Sequence, residues 1–138
     1  MLCVAAALPP TAAAQATLER VVITANRTPQ PLSSVLADIS VVERDEIQRS
    51  GAFGVADLLA RLPGIEFARN GGPGTTTSLF IRGSETRHTA VYIDGVRVDS
   101  QSTGGASWEQ IPLDQIDRIE VLRGPAAAVY GSDAVAGV

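Results

Sequence analysis

The residues in this 138-residue sequence most able to do chemistry are charges set inside apolar, strand-like runs. Arg82 closes Leu79-Phe80-Ile81, Glu120 lies within the run Ile119 to Leu122, and Arg123 follows directly. A charge buried without a partner costs several kcal/mol or more, so each of the three needs a counter-ion. Either Glu120 pairs with one of the arginines, or the carboxylates come from outside the chain. Asp94, Asp99, Asp114, Asp117 and Glu120 are the residue types that acid–base work or a divalent cation would use. Their settings favour turns and solvated faces instead, with Asp94 in a hairpin turn and Asp114 and Asp117 flanking a surface helical turn. Asn70-Gly71-Gly72-Pro73-Gly74 has the glycine density of a phosphate cradle. The chain has no lysine, since all 11 basic residues are arginine, and this excludes a Walker loop. A Ser-His-Asp triad would have to use His88, the one histidine, and no G-x-S-x-G elbow accompanies it. One cysteine, Cys3, and one histidine exclude a disulfide framework and the multi-Cys or multi-His zinc sites. No resident cofactor or metal is expected.

The elements that must position these residues are short. Ile39 to Val42 reads as a strand, followed by a helical turn over residues 44–48. Val55, Leu58, Leu59 and Leu62 fall at i, i+3, i+4 and i+7, the stripe of an amphipathic helix that Pro63-Gly64 ends. Ile65 to Phe67 and the β-rich run 75–82 read as strands around the glycine loop at 70–74. Asp94-Gly95, between Ala90 to Ile93 and Val96 to Val98, predicts a hairpin with a type I′ turn. Residues 100–107 read as a polar loop, 112–116 as a helical turn, and 119–122 as a last strand stopped by Gly124-Pro125. No element is assigned to residues 126–138. Helices and short strands are intermixed, which predicts a small α+β domain.

Composition narrows the class further. Fifteen acidic against 11 basic residues give a net charge of −4, and no basic run exists to neutralise phosphates, so nucleic acid is not an expected partner. After residue 16, no stretch approaches the roughly 18 consecutive apolar residues of a spanning helix. Aromatic residues make up 4%, too few for the girdles of a barrel. Met1 to Ala16 is apolar, uncharged and closed by Ala-x-Ala patterns, as in the end of an export signal that lacks its basic n-region. Val21-Val22-Ile23 is cut off from the core by the Thr28-Pro29-Gln30-Pro31 linker. Pattern alone favours an edge strand there, against an exposed segment that adds to another protein's sheet.

Four ordered motifs carry a resemblance. These are Phe80-Ile81-Arg82-Gly83, Tyr92-Ile93-Asp94-Gly95-Val96-Arg97, residues 118–125 (Arg-Ile-Glu-Val-Leu-Arg-Gly-Pro), and residues 128–134 (Ala-Val-Tyr-Gly-Ser-Asp-Ala). Together the chain resembles, over residues 19–138, the plug domain of TonB-dependent outer-membrane receptors. Asn70 to Gly74, His88 and Tyr130 to Ala134 make it most similar to the cobalamin-receptor branch. The resemblance implies a plug, with a small mixed sheet, short helices and long loops, inside a 22-stranded barrel that lies outside this chain. It divides the chain into a signal remnant (1–16), a TonB box and linker (17–30), and a plug (31–138) truncated at its C-terminal end.

Under it, Glu19, Arg20, Val21, Val22, Ile23, Thr24, Ala25 and Asn26 are the segment that pairs with the periplasmic TonB protein. Thr76, Ser78, Glu85, Thr103 and Gly104 face the substrate, which is cobalamin or, as the alternative, a ferric siderophore. Glu85 stands where that branch carries an amide, and the loop holding Thr103 and Gly104 is one residue shorter. Arg82 and Arg123 reach barrel glutamates, and calcium, where the branch uses it, belongs to barrel loops. Gating rather than catalysis is the activity implied, in the cell outer membrane. A free-standing periplasmic plug-like binding module is the competing reading, and a small hydrolase built on His88 is a third.

Overall fold

Alternation of apolar and polar residues over 38–43 and 118–123 forms the longest ladder of the molecule, a computed structural model that describes residues 21–22, 27–100 and 104–138. The expected signal remnant, Glu19, Arg20, residues 23–26 and Thr103 lie outside the described residues. Strand β1 (Val21–Val22) pairs antiparallel with β2 (Gln30–Pro31). Strand β3 (Asp38–Glu43) leads into helix α1 (Arg44–Ser50) and helix α2 (Val55–Leu59). Strands β4 (Ile65–Arg69) and β5 (Thr77–Ile81) form a second antiparallel ladder. Strands β6 (Tyr92–Ile93) and β7 (Val96–Arg97) form a hairpin. Strand β8 (Arg118–Arg123) returns to pair with β3, with Asp38 opposite Arg123 and Glu43 opposite Arg118. Helix α3 (Ala127–Tyr130) follows, and single 3₁₀ turns occupy Leu32–Ser34, Thr86–His88, Trp108–Gln110 and Leu113–Gln115.

The α+β expectation and the hairpin both hold. Asp94 (φ 50°) and Gly95 (φ 81°) are both left-handed, the backbone that a type I′ turn requires. Helix α2 stops at Leu59, short of the stripe's last member. Arg61 N donates to Leu58 O and Leu62 N to Leu59 O, so the last turn tightens before Pro63 while Leu62 still packs on the core.

One expectation fails, and one stretch without an assigned element gains a place in the sheet. The run at Val21 is not cut off from the core, because Val22 is fully buried and β1 pairs with residues read as linker. Pro31 is tolerated there because a two-residue edge strand asks no ladder donor of it. The Ala- and Gly-rich stretch after Gly124 is an ordered part of the fold. Residues 134–138 run antiparallel to 122–126, with Leu122 N donating to Val138 O (2.8 Å) and Val138 N to Leu122 O (3.0 Å). On the other side Ala90 N donates to Gly137 O and Ala136 N to His88 O, a parallel contact that makes the sheet mixed.

The main core gathers α2 (Val55, Ala56, Leu59), Ile65, Leu79, Ile81, Trp108 and Val121. A second cluster packs Tyr130 and Ala134 on Ala90, Leu122 and Ala126, and a smaller one joins Val42, Ile47 and Leu58. Gly137 sits so close to β8 that a Cβ there would collide with the Leu122 carbonyl oxygen. Gly137→Ala must therefore push the 134–138 segment off β8. Its expected cost is about 1–3 kcal/mol, read as a lower urea midpoint and faster amide exchange at Leu122 and Val138.

Candidate functional site

The β4–β5 ladder builds a loop platform. Thr77, Leu79 and Ile81 point into the core, so the alternation puts Thr76, Ser78 and Phe80 on the outer face. Thr76 is exposed and Ser78 half-buried. The loop between the strands closes through Asn70 N donating to Thr76 O (3.1 Å) and both Thr75 N and Thr75 Oγ1 donating to Gly72 O. Its base is pinned by Arg69, which pairs with Asp57 at 2.7 Å, lies over the Phe67 ring and donates to Thr77 Oγ1. Glu109 accepts from Thr77 N at 3.3 Å, tying the platform to the 3₁₀ turn at Trp108–Gln110.

A second loop docks beside the first. Ser100 N donates to Gly105 O and Gly104 N to Ser100 O, which holds Gly104 and Gly105 against Ser100. Gly105 packs against Thr86, where a Cβ would meet backbone oxygen at 3.2 Å, and Gly104 packs against Arg87. Thr86 Oγ1 in turn accepts from Leu79 N, and Glu85 pairs with Arg87 at 2.6 Å. The structure thus brings Glu85 and Gly104 to one place and ties it to β5 beside Ser78. Thr76 stands two residues along the same strand face.

The expected buried charges are arranged differently from either sequence alternative. Residues 120 and 123 point to opposite faces of β8, so Glu120 does not meet Arg123; it pairs with Arg118 at 2.9 Å. Asp38 serves both arginines, bonding Arg123 Nη2 at 2.8 Å and Arg82 Nη2 at 2.6 Å. Arg82 is exposed rather than buried, because its left-handed backbone (φ 52°) turns the chain out of β5. Arg123 is buried, also donating to Ser40 Oγ, and its Nη1 has no hydrogen-bond partner among the described residues. Gly64 (φ 73°) lies under both side chains, where a Cβ would touch Arg82 Cγ at 3.6 Å and Arg123 Cδ at 4.0 Å.

A family model described as the TonB-dependent receptor plug domain matches residues 31–138. The chain belongs to that plug-domain family. The plug is 50% identical over 122 residues (88% of this chain, 20% of the relative) to the vitamin B12 transporter BtuB of Vibrio vulnificus. It is 46% identical over 127 residues (92% and 21%) to BtuB of Photobacterium profundum. The chain therefore spans about a fifth of the length of these relatives. Among solved structures it resembles a double mutant of the ferric enterobactin receptor PfeA from Pseudomonas aeruginosa (TM-score 0.63, 28% identity, 86% of this chain and 18% of that one). It also resembles the siderophore receptor PirA from Acinetobacter baumannii (TM-score 0.60, 31% identity, 72% and 16%).

Sequence reasoning missed three parts of the plug. Asp38 was legible in principle, since it is the first carboxylate that an antiparallel partner of 118–123 could offer. The aromatic pair Tyr92 and Tyr130, with centroids 5.0 Å apart, is widely separated in sequence and gives no local signal. Arg27 completes it, with its guanidinium 4.7 Å from the Tyr130 centroid and Nη2 donating to Tyr92 Oη at 3.3 Å. Burial raises the Tyr130 hydroxyl pKa, and Arg27 opposes that shift. Nearby, Arg97 joins Asp99 (2.7 Å) to Asp133, which holds the Asp133 carboxyl below its ordinary range and raises the Arg97 guanidinium.

The hydrogen bond from Arg123, with the charges of Arg123 and Arg82, lowers the Asp38 pKa against an opposing effect of burial. A lowered carboxylate pKa contributes stability that is complete above its unfolded value, near pH 4, and is lost as pH falls through the folded one. Asp38→Asn is expected to cost about 1–3 kcal/mol at pH 7, because it weakens the pairing of a buried guanidinium while water screens the half-exposed partner. Urea unfolding at pH 7 and pH 3 checks this: the variant's deficit should shrink at the lower pH.

Proposed function

We propose that this chain is the plug and TonB-binding segment of an energy-coupled cobalamin transporter of the cell outer membrane. The observation that carries the reading is 46–50% identity to vitamin B12 transporters over about nine-tenths of the chain, against 28% and 31% for the PfeA and PirA siderophore receptors. On this reading residues 1–16 are an export-signal remnant, 17–30 the TonB box and linker, and 31–138 the plug. The remaining length of such a protein is the barrel. A ferric-siderophore receptor plug is the second reading, favoured by the solved structures the fold resembles.

The chemistry follows from the platform. Cobalamin is large and polar, and Thr76, Ser78, Glu85, Thr103 and Gly104 offer it small, hydrogen-bonding groups on two adjoining loops. Arg82 is exposed and suited to a carboxylate on a barrel wall, whereas Arg123 is buried and held by Asp38 within the plug. Glu120, already paired with Arg118, anchors the β8 face instead. Transport then requires two states biased from both sides, substrate at the loops and TonB at residues 19–26. TonB binds by strand addition, which needs main-chain donors.

Titrating the full-length receptor with cyanocobalamin should give saturable binding; its absence, with a ferric siderophore binding instead, selects the second reading. Val22→Pro removes a ladder donor from the added strand and should abolish energy-dependent uptake while leaving cyanocobalamin binding intact. Loss of binding as well would assign the segment a purely structural role.

A further inference from the structure

The turn over residues 84–89 presents two charged side chains, and its shape does not depend on them. Ser84 N donates to Ile81 O (3.0 Å), His88 N to Glu85 O (2.9 Å) and Thr89 N to Thr86 O (3.3 Å), so main-chain bonds set the turn. Thr86 Oγ1 accepts from Leu79 N, and Gly105 packs on Thr86, which fixes the turn to β5 and to the neighbouring loop. Arg87 Nη2 meets Glu85 Oε2 at 2.6 Å, and each side chain is 63% exposed. An exposed ion pair of this kind adds little to stability. It also ties no two elements together, unlike Arg69 with Asp57, Arg97 with Asp133 or Arg82 with Asp38. The contact between the two groups uses one of several guanidinium donors and one of several carboxylate lone pairs. Thr76, Ser78 and Gly104, the described residues beside it on the platform, are uncharged.

We propose that Glu85 and Arg87 form a charge-neutral dyad that reads one primary carboxamide on the ligand's rim, Glu85 accepting from the amide NH2 and Arg87 donating to its carbonyl. This rests on the reading of the platform as a cobalamin site and names the chemistry by which that site selects. The corrin ring of cobalamin carries primary carboxamides around its edge, each a donor and an acceptor side by side. Glu85 offers only acceptors and Arg87 only donors, so the pair matches an amide in one orientation. Gly104 lies beside the Arg87 stem, where a Cβ would stand 3.5 Å from Arg87 Cβ, so the dyad sits where the two loops meet. Hydrolysis of that amide to a carboxylic acid preserves size and shape but removes the N–H donors. At pH 7 the acid is ionised, and one of its oxygens then faces the Glu85 carboxylate. A lost donor together with like-charge contact rejects the analogue more strongly than a missing methylene could. Arg87 offsets the Glu85 charge, so the face stays neutral toward the uncharged amide.

The test is equilibrium binding of cyanocobalamin and of its isomeric monocarboxylic acids to the full-length receptor at pH 7. The parent is expected to bind at least one of the acids about 10- to 100-fold more weakly than cyanocobalamin, the range of a lost charge-assisted hydrogen bond. Glu85→Gln replaces an acceptor-only group by an amide that can also donate. It should tighten that acid about tenfold and weaken cyanocobalamin about two- to fivefold. Arg87→Ala should weaken both ligands, and the acid more, because Glu85 then stands unpaired. The two variants thus move the acid in opposite directions, which general damage to the loop would not do. Both side chains are exposed and main-chain bonds hold the turn, so the variants keep the fold. Equal binding of cyanocobalamin and every acid by the parent overturns the dyad alone, as does a Glu85→Gln receptor that keeps the parent's preference. Absence of saturable cyanocobalamin binding by the parent overturns the substrate reading, and the dyad with it.

Discussion

A guanidinium taken out of water must keep its charge satisfied, and the placement of Arg123 organises much of the rest of this domain. Its partner, Asp38, is fixed opposite it by the six-residue register of β3 with β8, so a one-residue slip would part the pair and reverse every side chain in the ladder. Gly64 is bare where the two arginine stems pass, and Arg82 leaves β5 through a left-handed residue to reach the same carboxylate. One carboxylate thereby joins the first long strand, the last long strand and the exit of the central hairpin. The cluster keeps one positive charge in excess, which polar surroundings suit better than an apolar core.

Around that joint the domain is built from short ladders rather than one continuous sheet. The apolar material is divided among three small clusters, and polar links do much of the connecting: Arg69 to Asp57, Glu109 to Thr77, Thr86 to Leu79, Arg97 to Asp99 and Asp133. Small clusters joined by hydrogen bonds and ion pairs open locally at lower free energy than one dense core. Such a construction fits the two-state gating proposed above, in which loops answer a ligand on one side and a pull on the other.

Much of this was legible from the residues. The hairpin at Asp94-Gly95, the β3 and β8 strands and the α2 stripe are local signals, and each reports on its own neighbourhood. The four motifs identified the family because they are ordered and specific, not because their physics was understood. What escaped was non-local. Pairing of Val21-Val22 with a proline-bearing segment runs against strand propensity and is decided by burial of Val22. The alanine and glycine of 134–138 carry no β-branched signal, yet a segment squeezed between two neighbours selects for small side chains. The Asp38 site needed strand parity and register together, and the Arg27 seat joins residues more than sixty positions apart.

The segment 134–138 has a consequence for how such a chain comes into being. It is the piece wedged between 88–90 and 122–126, while β3, near the other end, finds its partner about eighty residues away in β8. Contacts of such long sequence separation form late and slowly, because loop closure precedes any reward. A chain that emerges end-first therefore cannot seal this sheet until the 134–138 segment is free to pair. The topology itself delays folding, and under the export proposed above that delay keeps the polypeptide soft enough to travel.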